Sequence, residues 1–280
     1  MADQIHLDQL DRIEAKLDAA LAQAAPSPVP APVPAPVPAP VPTTERPVDV
    51  LPALANWTIT FPTGTQGSPT NLYPPKIGGG KGFVPGVFEV ATDQGGKGVL
   101  FTASVDGVTT PNSKRTRTEA RQMADASWTK AAFDGSKPHK MTARLWGSTE
   151  DLAVRKSLSL AQIHDGADDV CQVRIHRVDG YRGLHLFFND GKTILPLDPD
   201  YRDRQPFDLT IETGVGGKEI VVSYSSGTVS TTTRIAQVGE DWYFKAGAYN
   251  QSSISEHGEL RTSKGRVMVY QLATTGNPVG

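Results

Sequence analysis

The chain has 280 residues, 38% of them apolar and 21% charged, with a formal net charge of −2. That length allows one large domain or two small ones, and that composition excludes global disorder. The near-neutral balance excludes a dedicated nucleic-acid binder, no apolar run reaches the roughly 18 residues of a membrane-spanning helix, and the single cysteine, Cys171, excludes an internal disulfide and a thiolate zinc site.

The N-terminus, Met1-Ala2-Asp3-Gln4, has no basic start and no apolar stretch after it, so it is not read as a secretory leader. Residues 3–24 read as a helix, with Leu10, Ile13, Leu17, Ala20 and Ala24 repeating at alternating spacings of three and four. The stripe has no domain beside it, so a short coiled coil or docking onto a partner is expected to bury it. Residues 1–25 therefore form a first segment. From Pro26 to Pro42 nine prolines occupy every second position. Proline fixes φ and donates no hydrogen bond, so the stretch is expected to be a polyproline II rod. At about 3.1 Å per residue it reaches roughly 50 Å. Residues 26–50 are read as a linker and 51–280 as the head.

Charge divides at the same boundary. Residues 1–50 carry seven acidic and three basic side chains, leaving 23 acidic and 25 basic in the head. A mildly basic head suits an acidic ligand without requiring one.

Beyond Leu51 helical periodicity gives way to short β-rich runs separated by Gly, Asn and Asp turns. They cover 57–61, 98–105, 115–122, 140–147, 158–164, 170–178, 181–189, 207–213, 219–225, 229–236, 242–251 and 265–274. Asp179-Gly180 and Asp190-Gly191 favour positive-φ hairpin turns. A dozen short strands in this length predict an all-β fold: a jelly-roll sandwich of two antiparallel sheets, preceded by the N-terminal helix and the Pro-rich linker.

Three runs carry unusual polar content, and the two-residue period of a strand decides which side chains share a face. Arg117, Glu119 and Arg121 point one way, with Thr118 and Ala120 opposite. Gln162 and His164 flank an inward Ile163. Lys245, Tyr249 and Gln251 align, with Gly247 leaving room between them. Each run alone has a plain explanation: an Arg-x-Glu-x-Arg strand is usually a solvated ion-pair ladder, and a Tyr in an aromatic stretch is commonly core. In one sheet, however, the three would make a cationic groove holding a titratable pair.

These segments resemble the alginate lyases of polysaccharide lyase family 7. Asn56–Gly64 is similar to that family's opening strand, and Ser113–Arg121 to its arginine strand. Gln162-Ile163-His164 matches its Gln-x-His signature, and Tyr243–Gln251 matches the Tyr-Phe-Lys-x-Gly-x-Tyr-x-Gln block. The resemblance covers about 225 residues, in the family's order along the chain. Ala120 replaces a leucine and Gln122 a glutamate, both on the far face of the strand. The resemblance implies a jelly roll with a substrate cleft on one sheet and β-elimination of a uronate polymer, most readily alginate, giving 4,5-unsaturated ends. It implies that Arg117 and Gln162 neutralise the uronate carboxylate. Tyr249 would act as base and acid on mannuronate, with His164 the base on guluronate, and Ile163 leans towards guluronate-containing substrates. Among substrate-binding residues, Arg121, Lys245 and Gln251 would hold the carboxylates and hydroxyls of neighbouring sugars, and Asn250 or Glu119 would help position side chains.

The chemistry fits those residue types. The C5 proton of a uronate is acidic only when the adjacent carboxylate is neutralised. Imidazole, with an ordinary pKa near 6.5, is a base at neutral pH, and phenol, near 10, an acid. No metal or other cofactor is expected. Other chemistries find no footing. No strand carries the two closely spaced carboxylates of a retaining glycosidase, Gly78–Gly82 lacks phosphate-loop spacing, and Asp198-Pro199-Asp200 is too short for a calcium loop. Two alternatives stand beside the lyase: a non-catalytic head that binds anionic polysaccharide, and a lyase for another polyuronate such as glucuronan. A helix and stalk ahead of such a head read as a tether. The expected setting is a depolymerase on a virion, as on a phage tail, or one outside the cell by another route.

Overall fold

The computed structural model describes residues 39–74, 76, 82–127 and 129–279. The helix expected at 3–24, with its coiled coil or docking role, and the rod up to residue 38 lie outside them.

Two eight-stranded antiparallel sheets face each other among the described residues. The first runs in the order β1 (Val41–Pro42), β4 (Phe88–Asp93), β5 (Gly96–Ser104), β16 (Lys264–Thr275), β7 (His139–Ser148), β12 (Phe207–Val215), β13 (Glu219–Ser226) and β14 (Val229–Ala236). The second, which carries the polar strands, runs β11 (Thr193–Asp198), β10 (Leu184–Phe188), β9 (Asp169–His176), β8 (Ser157–His164), β15 (Tyr243–Asn250), β6 (Arg117–Gln122), β2 (Trp57–Thr65) and β3 (Ser68–Leu72). This is the two-sheet sandwich that the strand pattern predicts.

Alternation builds the core. Met141, Ala143 and Leu145 from one sheet and Leu158, Leu160, Ile163, Val173, Ile175 and Phe244 from the other are buried in one cluster. Fully burying a side chain of this kind contributes roughly 1.5–3 kcal/mol. The sheets approach so closely at Gly147 that a Cβ there would meet Leu160 and Ile175 at 2.6 and 2.7 Å. Both predicted hairpin turns are present. Asp179 and Gly180 have φ of 55° and 85°, Asp190 and Gly191 53° and 74°, and the flanking strands pair Leu184 with Ile175 and Phe188 with Thr193.

Four strands escaped the sequence pattern, β1 in the linker and three in the head, the latter for separate reasons. β4 is buried on both faces along Phe88–Ala91, so it shows no alternation. β11 contains Pro196, and β3 is a largely exposed strand containing Pro69; both are edge strands, where proline is tolerated.

The linker expected to run to residue 50 ends earlier, which moves the start of the head forward. Val41 pairs with Thr92 and Pro42 with Ala91, and Thr43 N donates to Val90 O at 2.7 Å. A short helix, Pro47–Val50, follows. The proline repeat permits this pairing because only alternate residues of an edge strand turn their N–H towards the neighbour, and Pro42 falls between two that do.

Candidate active site

The register of β8, β15 and β6 assembles the polar residues. β15 lies between the other two, pairing Tyr249 with Arg117 and Lys245 with Arg121 on one side, and Lys245 with Gln162 and Tyr243 with His164 on the other. Arg117, Glu119, Arg121, Gln162, His164, Lys245 and Tyr249 therefore share the outward face of the second sheet, as the period-two reading requires. A register irregularity between Ala246 and Tyr249 bends β15 there. Gly247 makes that bend possible: its φ is 134°, and a Cβ would sit 2.7 Å from Thr118 O.

Glu119 organises the floor. It is 2% exposed, accepts from Gln162 Nε2, and meets Lys245 Nζ at 2.6 Å and Arg117 Nη1 at 3.3 Å. Burial alone would raise the Glu119 carboxyl, but Lys245 and then Arg117 outweigh it and hold the group below its ordinary value, so it is ionised. Burial lowers the Lys245 ammonium, with Glu119 opposing. With Arg121 counted, three cations face one carboxylate, and the floor keeps a positive surplus. The Nε atoms of Arg117 and Arg121 are buried with no acceptor.

Each arginine covers an aromatic ring of β15. The Arg117 guanidinium carbon lies 3.8 Å from the Tyr249 ring centre, and that of Arg121 lies 3.8 Å from the Tyr243 ring centre. Tyr249 Oη is 3.3 Å from Ser113 Oγ. His164 Nδ1 is 2.7 Å from the Asp165 carbonyl oxygen, which can only accept, so the proton sits on Nδ1 and Nε2 keeps its lone pair. Burial and then Lys245 lower the His164 imidazole from its ordinary value, which favours the neutral ring.

A cleft of about 230 Å³ lies over this floor. Arg117, Gln162, His164 and Tyr249 line it, with residues 110–113 on one rim and 167–169 on the other. A larger cavity of about 510 Å³, lined by Pro52, Trp57, Met123 and Leu272 among others, contains no titratable side chain. Chemistry, not volume, marks the site.

Of the expected sugar-binding residues, Asn250 sits elsewhere and Glu119 lies within the floor. Asn250 points inward: it is fully buried, and its amide donates to Ala103 O at 2.8 Å and Thr116 Oγ1 at 2.9 Å. It occupies an even position on β15, alongside Phe244, Ala246 and Ala248 of the core, so its role is to tie the two sheets together. Glu119, being buried and fully engaged, positions Gln162 and Lys245 instead of meeting sugar. Gln251 lines the neighbouring cavity and accepts from Arg115 Nη1 at 2.8 Å. Sequence reasoning missed Ser113, Tyr243, Gln172 and Arg174. Gln172 and Arg174 carried a legible signal, as alternate polar positions on a predicted strand; Ser113 sits in a loop, where periodicity is silent.

Known proteins of one family resemble this chain in sequence and fold. The family model described as alginate lyase matches residues 52–276. The chain is similar to the alginate lyase AlgAT5 of polysaccharide lyase family 7, at 29% identity and a TM-score of 0.70, over 82% of this chain and 97% of that one. It is likewise similar to the alginate lyase from a Corynebacterium species, at 30% identity and a TM-score of 0.70, over 83% and 98%. An alginate lyase from Pseudomonas aeruginosa shares the fold at 20% identity and a TM-score of 0.59, over 79% and 98%. No curated protein matches. With most of the head covered by the family model and the motif strands adjacent in one sheet, the chain belongs to the alginate lyase family.

Proposed function

We propose that this protein cleaves alginate by β-elimination at the cleft on the second sheet. The supporting observation is the register that gathers Arg117, Gln162, His164 and Tyr249 around one cavity. Arg117 and Gln162 take the carboxylate of the reacting uronate. Their donors offset the charge that develops as C5 loses its proton, and one preorganised donor of this kind contributes about 2.7–4 kcal/mol to lowering such a barrier.

On guluronate, His164 Nε2 accepts the C5 proton, the C4–O bond breaks as the C4–C5 double bond forms, and the Tyr249 hydroxyl protonates the departing glycosidic oxygen. On mannuronate, Tyr249 starts as the phenolate, takes the C5 proton to become the phenol, and gives that proton to the departing glycosidic oxygen as the C4–O bond breaks. Arg121 and Lys245 add positive field beneath the chain, and Gln251 binds beside it. The full-length protein mixed with alginate should give the ultraviolet absorbance of unsaturated uronate ends. Retention on the polymer without that signal would make it a binding module, and signal from glucuronan alone would reassign the substrate.

The tether is a separate proposal that rests on the residue pattern of 3–24: these residues associate with one another or with a larger body, such as a virion. Sedimentation of the full chain against a variant with Leu10, Ile13 and Leu17 changed to Ser tests self-association. Equal mass for the two removes it.

A further inference from the structure

Next to the reaction cleft lies a second cavity of about 320 Å³, and the two share Ser113, Gln172 and Tyr249 in their walls. Its cations are Lys114, Arg115 and Arg174; its acids are Asp168, Asp169 and Glu256. The acids do not neutralise the cations evenly. Glu256 is engaged by Arg115 at 3.4 Å and by Lys114 at 3.6 Å. Arg174, by contrast, comes no closer than 3.9 Å to Asp169 Oδ2, and that oxygen has no hydrogen-bond partner.

Arg174 is held in place with only a loose ion pair to Asp169 and no hydrogen bond between the two. Its side chain is 14% exposed, its guanidinium carbon lies 4.4 Å from the Phe187 ring centre, and its Nε donates to Gln172 Oε1 at 2.5 Å. A buried guanidinium usually sits in a close, two-pronged carboxylate pair. Here the fork is positioned by an aromatic face and an amide, its ion-pair partner stays 3.9 Å away, and the side chain lines the open cavity. Burial lowers Arg174 to about 10 against the pull of Asp169, and the like charges of Arg115 and Arg155 contribute.

Arg174 pairs across the sheet with Ser159, and Ser159 with Tyr249. Neighbouring strands are about 4.8 Å apart, so two steps place Arg174 roughly 10 Å from the reacting tyrosine, beyond the reach of the sugar next to the one that reacts and on the scale of the one after it.

We propose that Arg174, with Arg115 beside it, binds the carboxylate of a second uronate along the polymer from the one that reacts. This rests on the lyase reading above. A planar guanidinium fork suits a carboxylate, and the amides of Gln172 and Gln251 on the same wall suit sugar hydroxyls.

Two measurements test it. In the Tyr249→Phe background, equilibrium binding of an oligouronate long enough to span both cavities should weaken about tenfold on adding Arg174→Gln, with a flatter salt dependence. A dimer that fills only the reaction cleft should bind as before. Arg174→Lys, which keeps the charge without the fork, should fall between. In the active protein, Arg174→Gln should raise KM for polymer about tenfold and change kcat much less. Unchanged long-oligomer affinity in folded Arg174→Gln or Arg115→Gln protein would overturn the proposal, as would equal losses for dimer and long oligomer. Absence of unsaturated product from the unaltered protein would instead sink the lyase reading, while the binding measurement still judged the arginine pair.

Discussion

Tyr243 Oη stands 3.0 Å from His164 Nδ1, and the two rings stack at 20° with centroids 5.3 Å apart. Arg121 covers the same tyrosine ring, so one aromatic side chain positions both an imidazole and a guanidinium. Tyr243→Phe keeps the stack and should retain activity within about threefold. Tyr243→Ala admits water beside His164, relieving the burial that lowers it, so its pKa rises towards the ordinary 6.5. The ascending limb of kcat/KM against pH should then move to higher pH. An unmoved limb would mean that Tyr243 does not set the basicity of His164.

Tyr249→Phe removes the proposed acid and leaves the ring under Arg117. Turnover should fall by about 10²–10⁴-fold, the usual contribution of a positioned proton donor. Polymer affinity should stay within a few-fold, as read by binding to alginate under the same conditions. A variant that still turns over like the parent would remove Tyr249 from the reaction.

Glu119→Gln is nearly isosteric but leaves Lys245 and Arg117 without their buried carboxylate. Breaking a buried pair in this way typically costs about 3–5 kcal/mol. Denaturant unfolding should show a loss of that order, and the protein that remains folded should have weak turnover because an amide has one oxygen to accept from Gln162 or Lys245 where the carboxylate had two. Stability and activity both within experimental error of the parent would show the floor to be dispensable.

Glu259 offers a test independent of the reaction. Its carboxylate accepts from the backbone N–H groups of Ala153, Val154 and Arg155 and from the hydroxyls of Ser252 and Ser263. Burial would raise it, but these donors hold it down at about 2. A folded value below the unfolded one, ordinarily near 4.5, means that the stabilisation is complete above pH 4.5 and fades as pH falls towards 2. Glu259→Gln should lose about 2–3 kcal/mol at pH 7, and the gap to the parent should close in acid. A constant gap between pH 7 and pH 3 would contradict this account.

The legible parts of the sequence were those where one face of a strand is polar and the other apolar. β6 and β15 announce their outward residues because Ala120, Phe244 and Ala248 fill the inner positions. β4 is silent because both faces are covered, and Ser113 because loops have no period. The placement of Asn250 shows the limit of motif matching: its neighbours Tyr249 and Gln251 face the cavities while it turns towards Ala103. Strand parity identifies that inward turn, whereas a run of matching letters does not. The setting of Arg174 beside the open cavity belongs to three dimensions, since its partners Phe187, Gln172 and Asp169 come from two strands joined by a hairpin.

The last prolines of the repeat have an effect at the sheet boundary. Val41 and Thr43 turn their amides towards β4, so the other side of Val41–Pro42 offers carbonyl oxygens and no N–H. A foreign strand approaching there would find half of every hydrogen-bond ladder missing. Val41–Pro42 thus terminates the sheet it joins and makes that edge a poor template for pairing with another chain.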